Sequence, residues 1–142
     1  MTLSANDRSQ LLGTCPLFQG VGGSGLGTLA AAATEVDFPA GHVIARQGEI
    51  GTGFFVIVTG RVRVVRDGTV LSHLGPGDFF GELSVLDRQP RNAMVAAEDP
   101  TTCLAIASWD FEAALLANPA LSLAILRGVA ARLRAATDAL RH

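Results

Sequence analysis

Glu82 and Arg91 stand nine positions apart in a run of glycine, proline and small residues from Gly75 to Val95. Gly81-Glu82-Leu83-Ser84 is short enough to form a single helical turn. Glycine lets a ligand come close to the backbone, and the free N–H groups at the start of such a turn point outward and favour an anion. Arg91 follows Pro90 and brings a planar, permanently charged fork that can grip two phosphate oxygens. Glu82 offers a carboxylate to accept from a hydroxyl. Taken singly, each of these residues is an ordinary surface charge or turn. Together, an anion cradle, a cation and a carboxylate in one loop suit a sugar phosphate.

Short strands must position that loop. From Glu35 to about Ile106, β-branched, aromatic and aliphatic residues occur in brief runs (Val36, Phe38, Val43, Ile44, Phe54–Val58, Val62, Val64, Val70, Leu71, Leu74). Turn signals separate them: Pro39-Ala40-Gly41, Gly48-Glu49, Gly51–Gly53, Gly60, Asp67-Gly68 and Gly75-Pro76-Gly77. This spacing predicts a barrel or sandwich. Arg61-Val62-Arg63-Val64 alternates as a half-buried strand does, and Asp67-Gly68 suits a type I′ hairpin turn. Helices are expected on either side. Upstream they cover Ser9–Leu12 and, after the Pro16 interruption, Leu26–Thr34. Downstream, Ser108 is the expected cap of a helix over Trp109–Ala117, with Asp110 and Glu112 at its positive end. Asn118-Pro119 then starts a last helix that runs to the chain end. Ser122, Leu126, Val129, Leu133, Ala136 and Leu140 form a heptad-like seam on it. The seam can pack on the barrel or on the same helix of a second chain.

The 142 residues suit one domain with a core that needs no staples. A net charge of −2 argues against broad electrostatic binding of nucleic acid. Every basic residue is Arg, which codon preference explains as well as ligand chemistry does. Cys15 and Cys103 are isolated and expected to be reduced, buried thiols. Neither a basic n-region with an apolar run nor an apolar stretch of roughly 18 residues occurs, so neither a secretion signal nor a membrane span is expected. Gly20, Gly22 and Gly25 spell GxGxxG, yet Pro16 stands where the preceding strand of a dinucleotide-binding unit belongs. That stretch reads as a turn.

FGELSVLDRQPRNAMV, from Phe80 to Val95, resembles the phosphate-binding cassette of cyclic nucleotide-binding domains, as found in catabolite-activator-type regulators, kinase regulatory subunits and gated channels. The family pattern is F-G-E-[LI]-[AGS]-L, a variable loop, then R-[STA]-A. The resemblance extends over about residues 16–140. It takes in Cys15-Pro-Leu-Phe-Gln-Gly, the run Phe38-Pro-Ala-Gly-His-Val-Ile-Ala-Arg-Gln-Gly-Glu, the strands of Gly53–Val64 and the approach Leu74–Glu82.

It implies a mainly β fold: a double-stranded β-helix, or jelly-roll, barrel with N-terminal helices and two C-terminal helices. The single domain divides into a helical segment at 1–34, a barrel at 35–107 holding the cassette at 79–93, and C-terminal helices at 108–142. The ligand is a cyclic nucleotide, contacted by Phe80, Gly81, Glu82, Leu83, Ser84, Arg91, Asn92 and Ala93. Backbone amides of Gly81, Leu83 and Ser84 take the cyclic phosphate, Arg91 neutralises it, Glu82 accepts from the ribose 2′-hydroxyl, and Ala93 makes a close backbone contact. Asn92 departs from the Ser, Thr or Ala of many members. The family associates a hydroxyl there with cGMP, so its absence tilts the reading from cGMP to cAMP. Arg134 and Thr137 of the last helix are candidate contacts to the base, Ala136 having no hydroxyl to offer.

The resemblance implies regulation and no catalysis, with the nucleotide as ligand and no cofactor. Metal-dependent cupins share the barrel but need clustered ligands, whereas His42, His73 and His142 form no HxH pair. Neither these nor Cys103 is spaced as a haem ligand, and Ser84 has no His-acid partner pattern. No winged helix-turn-helix follows His142, so the chain itself is not expected to bind DNA. The expected module is cytoplasmic, open to homodimerisation through its last helix, and coupled to an effector domain or partner chain that the residues do not name. The competing reading is a degenerate member that has lost its nucleotide and serves for dimerisation or docking.

Overall fold

The computed structural model describes residues 3–51, 53–81 and 86–140. Ser4 opens the first helix, α1 (Ala5–Thr14), through a capping box: its hydroxyl accepts from the Asp7 amide while the Asp7 carboxylate accepts from the Ser4 amide. The helix therefore extends beyond the expected Ser9–Leu12. A 3-10 turn at Pro16–Phe18 follows, then α2 (Gly23–Ala32). α2 starts three residues before the expected Leu26, because buried Gly25 packs directly on Val21 and Leu121 and that contact holds a glycine-rich turn helical. It also ends early, since Thr34 already pairs with Ala105 in a sheet.

Eight strands come next: β1 (Thr34–Phe38), β2 (Val43–Ala45), β3 (Gly53–Thr59), β4 (Val62–Arg66), β5 (Thr69–Leu74), β6 (Phe79–Phe80), β7 (Met94–Ala97) and β8 (Thr101–Ala107). They form two antiparallel four-stranded sheets, in the orders β1-β8-β3-β6 and β2-β7-β4-β5. This is the jelly-roll architecture expected. β4 and β5 turn on Asp67 (φ 52°) and Gly68 (φ 80°), the positive-φ pair that a type I′ hairpin requires.

The period-2 alternation of β3 and β8 sends side chains into two separate cores. Phe54, Val56, Leu104 and Ile106 face the helices, where Leu12, Leu17, Phe18, Leu29, Phe111, Leu121 and Ile125 meet them. Ile57, Cys103 and Phe55 face the other way, toward Val62, Val95 and Phe80 between the sheets. Phe54 is the hub of the first core, with ring centroids 5.6 Å from Phe18, 5.8 Å from Phe79 and 5.8 Å from Phe111.

Helix α3 (Ser108–Ala117) leaves β8 without a loop. Ser108 was the expected cap, but the ladder keeps the chain extended through Ala107, which pairs with Gly53, so Ala107 holds the cap position and Ser108 is already helical. Asn118 then breaks the helix by 114°, and its side chain caps α4 (Pro119–Ala139) by accepting from the Leu121 amide at 3.1 Å. The Ser122 hydroxyl donates to the Leu115 carbonyl at 2.6 Å and ties α4 back to α3. α4 buries Leu121, Ala124 and Ile125 near its start, whereas residues 130–140 are exposed. The heptad seam divides: Val129 packs against the core of β3, β8 and the helices, whereas Leu126, Leu133 and Leu140 are 65%, 67% and 85% exposed. Among the described residues, no single helix is long and apolar enough to cross a membrane.

Candidate ligand-binding site

Arg91 is placed by its backbone. Its amide donates to the Glu49 carbonyl at 2.8 Å, and its carbonyl accepts from the Gly48 amide, also at 2.8 Å. Ile50 and Pro90 form an antiparallel bridge beside this pair. The Gly48-Glu49 turn, which carries no chemistry of its own, thus fixes where the arginine leaves the chain.

Two glycines then make room for the guanidinium. A Cβ at Gly51 would lie 2.5 Å from Arg91 Cζ. A Cβ at Gly81 would lie 2.8 Å from Arg91 Nη1 and 2.6 Å from the Gly53 carbonyl, and Gly81 has φ +90°, a region that side chains rarely tolerate. Within this slot Arg91 Nη2 donates to the Gly53 carbonyl at 2.9 Å. β6 delivers Gly81 to the position: Phe80 pairs with Phe55 across the ladder and stacks on it, with ring centroids 5.0 Å apart and planes 15° apart.

The slot opens into a cavity of about 320 Å³. That is at the lower end of the range for small-molecule sites, roughly 300–1,000 Å³. Val64, Val95, Phe79, Phe80 and Gly81 line it, together with Asp87 and the run Pro90-Arg91-Asn92-Ala93. The structure therefore brings Phe80, Gly81, Arg91, Asn92 and Ala93 together around one space. Asp87 also lines it, and its Oδ1 accepts from the Gln89 amide at 3.0 Å. Glu82, Leu83 and Ser84 lie outside the described residues. Arg91 further borders a second cavity of about 500 Å³ on the barrel side, against Phe38, Phe55 and Ala105.

Arg134 and Thr137 do not reach either cavity. They border a shallow concavity on the exposed half of α4, and the Thr137 hydroxyl back-bonds to the Leu133 carbonyl at 2.9 Å. Arg132 of α4 touches the cavity wall, its Cζ 4.9 Å from the centre of the Phe79 ring. Neither Arg132 nor Phe79 was among the expected site residues. The signal for Arg132 was present, since Leu121, Ile125, Gly128 and Arg132 continue one stripe at helical spacing.

Cys103 takes no part in this site. It is buried between the sheets, and burial pushes its thiol up to about 12, so it stays protonated and inert at neutral pH. Among the described residues, no three of His, Cys, Asp and Glu gather as a metal site.

An arginine held in a glycine slot beside an apolar cavity, on a jelly-roll, agrees with the sequence comparison. The model of the cyclic nucleotide-binding domain matches residues 35–118. The chain belongs to this family. The match covers the barrel, the cassette and α3. Among relatives of this cyclic nucleotide-binding domain, a CRP-like cAMP-activated global transcriptional regulator of Mycobacterium tuberculosis is 32% identical over 88% of the chain and 58% of the relative. A cyclic nucleotide-gated potassium channel of Rhizobium etli is 37% identical over 78% of the chain and 31% of the relative. The chain thus spans about half or less of these curated relatives.

Two solved structures are also similar. The N-terminal domain of a transcriptional regulator from Streptomyces coelicolor A3(2) superposes with a TM-score of 0.77 at 33% identity, over 87% of this chain and 90% of that one. The catabolite activator protein of Thermus thermophilus gives 0.76 at 31% identity, over 89% and 62% of the two chains.

Proposed function

We propose that this domain is a cAMP sensor whose cassette holds the cyclic phosphate on Arg91. The observation that carries the reading is the glycine slot: Gly51 and Gly81 leave the Arg91 guanidinium room at the edge of a cavity of about 320 Å³. In this reading the arginine fork meets two phosphate oxygens, as a planar guanidinium does best. Gly81, whose missing side chain exposes its backbone, contributes an amide. Ala93 keeps its side of the cavity shallow, and the Asn92 amide can donate to the phosphate or the base. Phe79, Phe80, Val64 and Val95 offer the base an apolar surface. By the family resemblance, Glu82 accepts from the ribose 2′-hydroxyl, and Leu83 and Ser84 add amides to the phosphate cradle. Asn92 in place of a hydroxyl residue favours cAMP over cGMP.

The output is a movement of α4. Arg132 already rests on Phe79, so a ligand that displaces this ring disturbs α4 directly. Arg134 and Thr137 reach the base only after the helix has swung toward the cavity. Such a swing follows the differential affinity of the nucleotide for the two helix positions. The exposed seam of Leu126, Leu133 and Leu140 is the surface on which two copies would pair. Calorimetric titration with cAMP and cGMP, with Arg91→Ala alongside, tests the reading. Saturable binding that the substitution abolishes supports it, and the tighter nucleotide gives the specificity. No heat with either nucleotide refutes it, and the same exposed seam then favours a docking or dimerisation module.

A further inference from the structure

The cassette loop is tied to α3 by a charge pair that the ligand site does not use. Arg88 sits at φ 57°, directly after Asp87 and before the Gln89 amide that Asp87 accepts from, and it is not among the residues that line the cavity. Its Nη2 donates to the Glu112 carboxylate on α3. Both side chains are largely solvent-exposed, at 73% and 49%, so the contact contributes little to the core. It joins the loop carrying Pro90 and Arg91 to the helix that α4 follows.

α3 and α4 are tied to each other at their junction. Ser122 is bonded to the Leu115 carbonyl, and Asn118 caps α4 at the bend. A swing of α4 that carries Arg134 and Thr137 to the cavity therefore drags α3 and stretches the Arg88–Glu112 contact. In the arrangement described here the pair is made and both α4 residues lie away from the cavity.

We infer that Arg88 and Glu112 form a latch that holds α3 in the uncapped arrangement and lowers the affinity of the cassette for its nucleotide. The effect on affinity rests on the cAMP-sensor reading; the latch itself does not. Exposed ion pairs are weak, so opening this one tightens cAMP binding about two- to five-fold. The pair is also screened by salt, so raising the salt from about 20 mM to about 500 mM has less effect on α3 once either charge is gone.

The test uses the whole chain with Arg88→Gln, Glu112→Gln, the double variant, and the charge exchange Arg88→Glu with Glu112→Arg. Hydrogen exchange of residues 108–117 without nucleotide is the first readout. Faster exchange in both single variants, no further gain in the double variant and recovery in the exchanged pair are expected. Exchange at the wild-type rate in both single variants overturns the latch. Calorimetric Kd values for cAMP are the second readout, and single variants that bind no more tightly than wild type overturn its effect on affinity. Should wild type bind no nucleotide while the exchange data behave as expected, the latch stands and the sensor reading fails.

Discussion

Gly51→Ala separates the binding role of the slot from its role in folding. The added methyl would lie 2.5 Å from Arg91 Cζ and 2.6 Å from Nε and Nη2. Carbon atoms pack best at roughly 3.5–4.0 Å, so the guanidinium must retreat by about 1 Å or leave the slot. The crowded group is the far end of a flexible side chain, and Gly51 does not have the positive φ of Gly81. Folding then loses the Arg91–Gly53 bond, about 1–2 kcal/mol, and recovers about 0.4–1 kcal/mol because alanine narrows the unfolded ensemble. A net change of about 0–1.6 kcal/mol moves Tm by at most roughly 3–6 °C in a chain of this size. Binding loses a charge-assisted contact to phosphate, worth about 1.5–3 kcal/mol, which is roughly a 10- to 150-fold rise in Kd for cAMP. Calorimetry and thermal unfolding on the same preparation measure both numbers. Gly60→Ala is the contrast, because Gly60 has φ +99° and its Cβ would lie 2.6 Å from the Thr101 backbone, remote from Arg91. It should cost stability, about 1–3 kcal/mol or more, without a specific loss of affinity. A Gly51→Ala protein that binds cAMP as tightly as wild type would falsify the slot argument.

Three further outcomes follow from the same geometry. Burial holds the Cys103 proton to about pH 12, while the unfolded chain releases it near pH 8.5. The folded state binds more protons in that window, so stability is full below about pH 8.5 and falls by up to about 1.4 kcal/mol per pH unit above it. With no Lys and no Tyr in the chain, urea unfolding between about pH 8 and pH 11 should show this slope in wild type and a flatter one in Cys103→Ala; equal slopes would assign it elsewhere. Arg132→Gln removes the contact to Phe79 and should speed hydrogen exchange in the second half of α4, with a change in global stability of only about 0.5–1 kcal/mol; unchanged exchange would mean that the ring does not hold the helix. Leu126→Gln with Leu133→Gln alters two exposed positions, so the folded chain should keep its stability to within about 1 kcal/mol while sedimentation shifts from dimer to monomer. A wild type that sediments as a monomer at all concentrations would rule out the seam as a pairing surface.

The β region was legible because its signals are local. Asp67-Gly68 had to be a tight hairpin, and the alternation around Val62 and Val64 had to place one face inside. The bend at Asn118-Pro119 was equally local, since a capping side chain and a missing amide act on adjacent residues. The helical segments were harder. α2 contains three glycines and owes its first turn to Leu121, nearly a hundred positions away, which no local pattern announces. Ser108 was misplaced by one residue because cap preference says nothing of how far a sheet ladder continues. The capping box of Ser4 and Asp7 was readable and was missed, Asp being less familiar there than Glu. In the site, Arg91 and Gly81 were legible from residue type and spacing. The part played by Gly51 was not, for it depends on where an arginine forty positions later lays its guanidinium. Arg132 lies outside the two positions, Arg134 and Thr137, that the family resemblance marks for the base; the structure brings it, about one turn before Thr137, onto Phe79.

The burial pattern of α4 gives it the mechanics of a cantilever. Leu121, Ala124 and Ile125 clamp its first two turns against the core, Val129 and Arg132 touch the body one to two turns further on, and the exposed residues beyond project outward. At 1.5 Å per residue, the 21 residues of Pro119–Ala139 make a beam about 30 Å long. A rotation of about 10° at the Asn118 pivot carries the tip about 5 Å, close to the pitch of one helical turn. Displacement is therefore gained at the tip and stiffness is concentrated at the root. A load attached near Leu140 works through the longest arm in the molecule, so a weak pull there exerts as much torque on the clamp as a much stronger push beside Asn118.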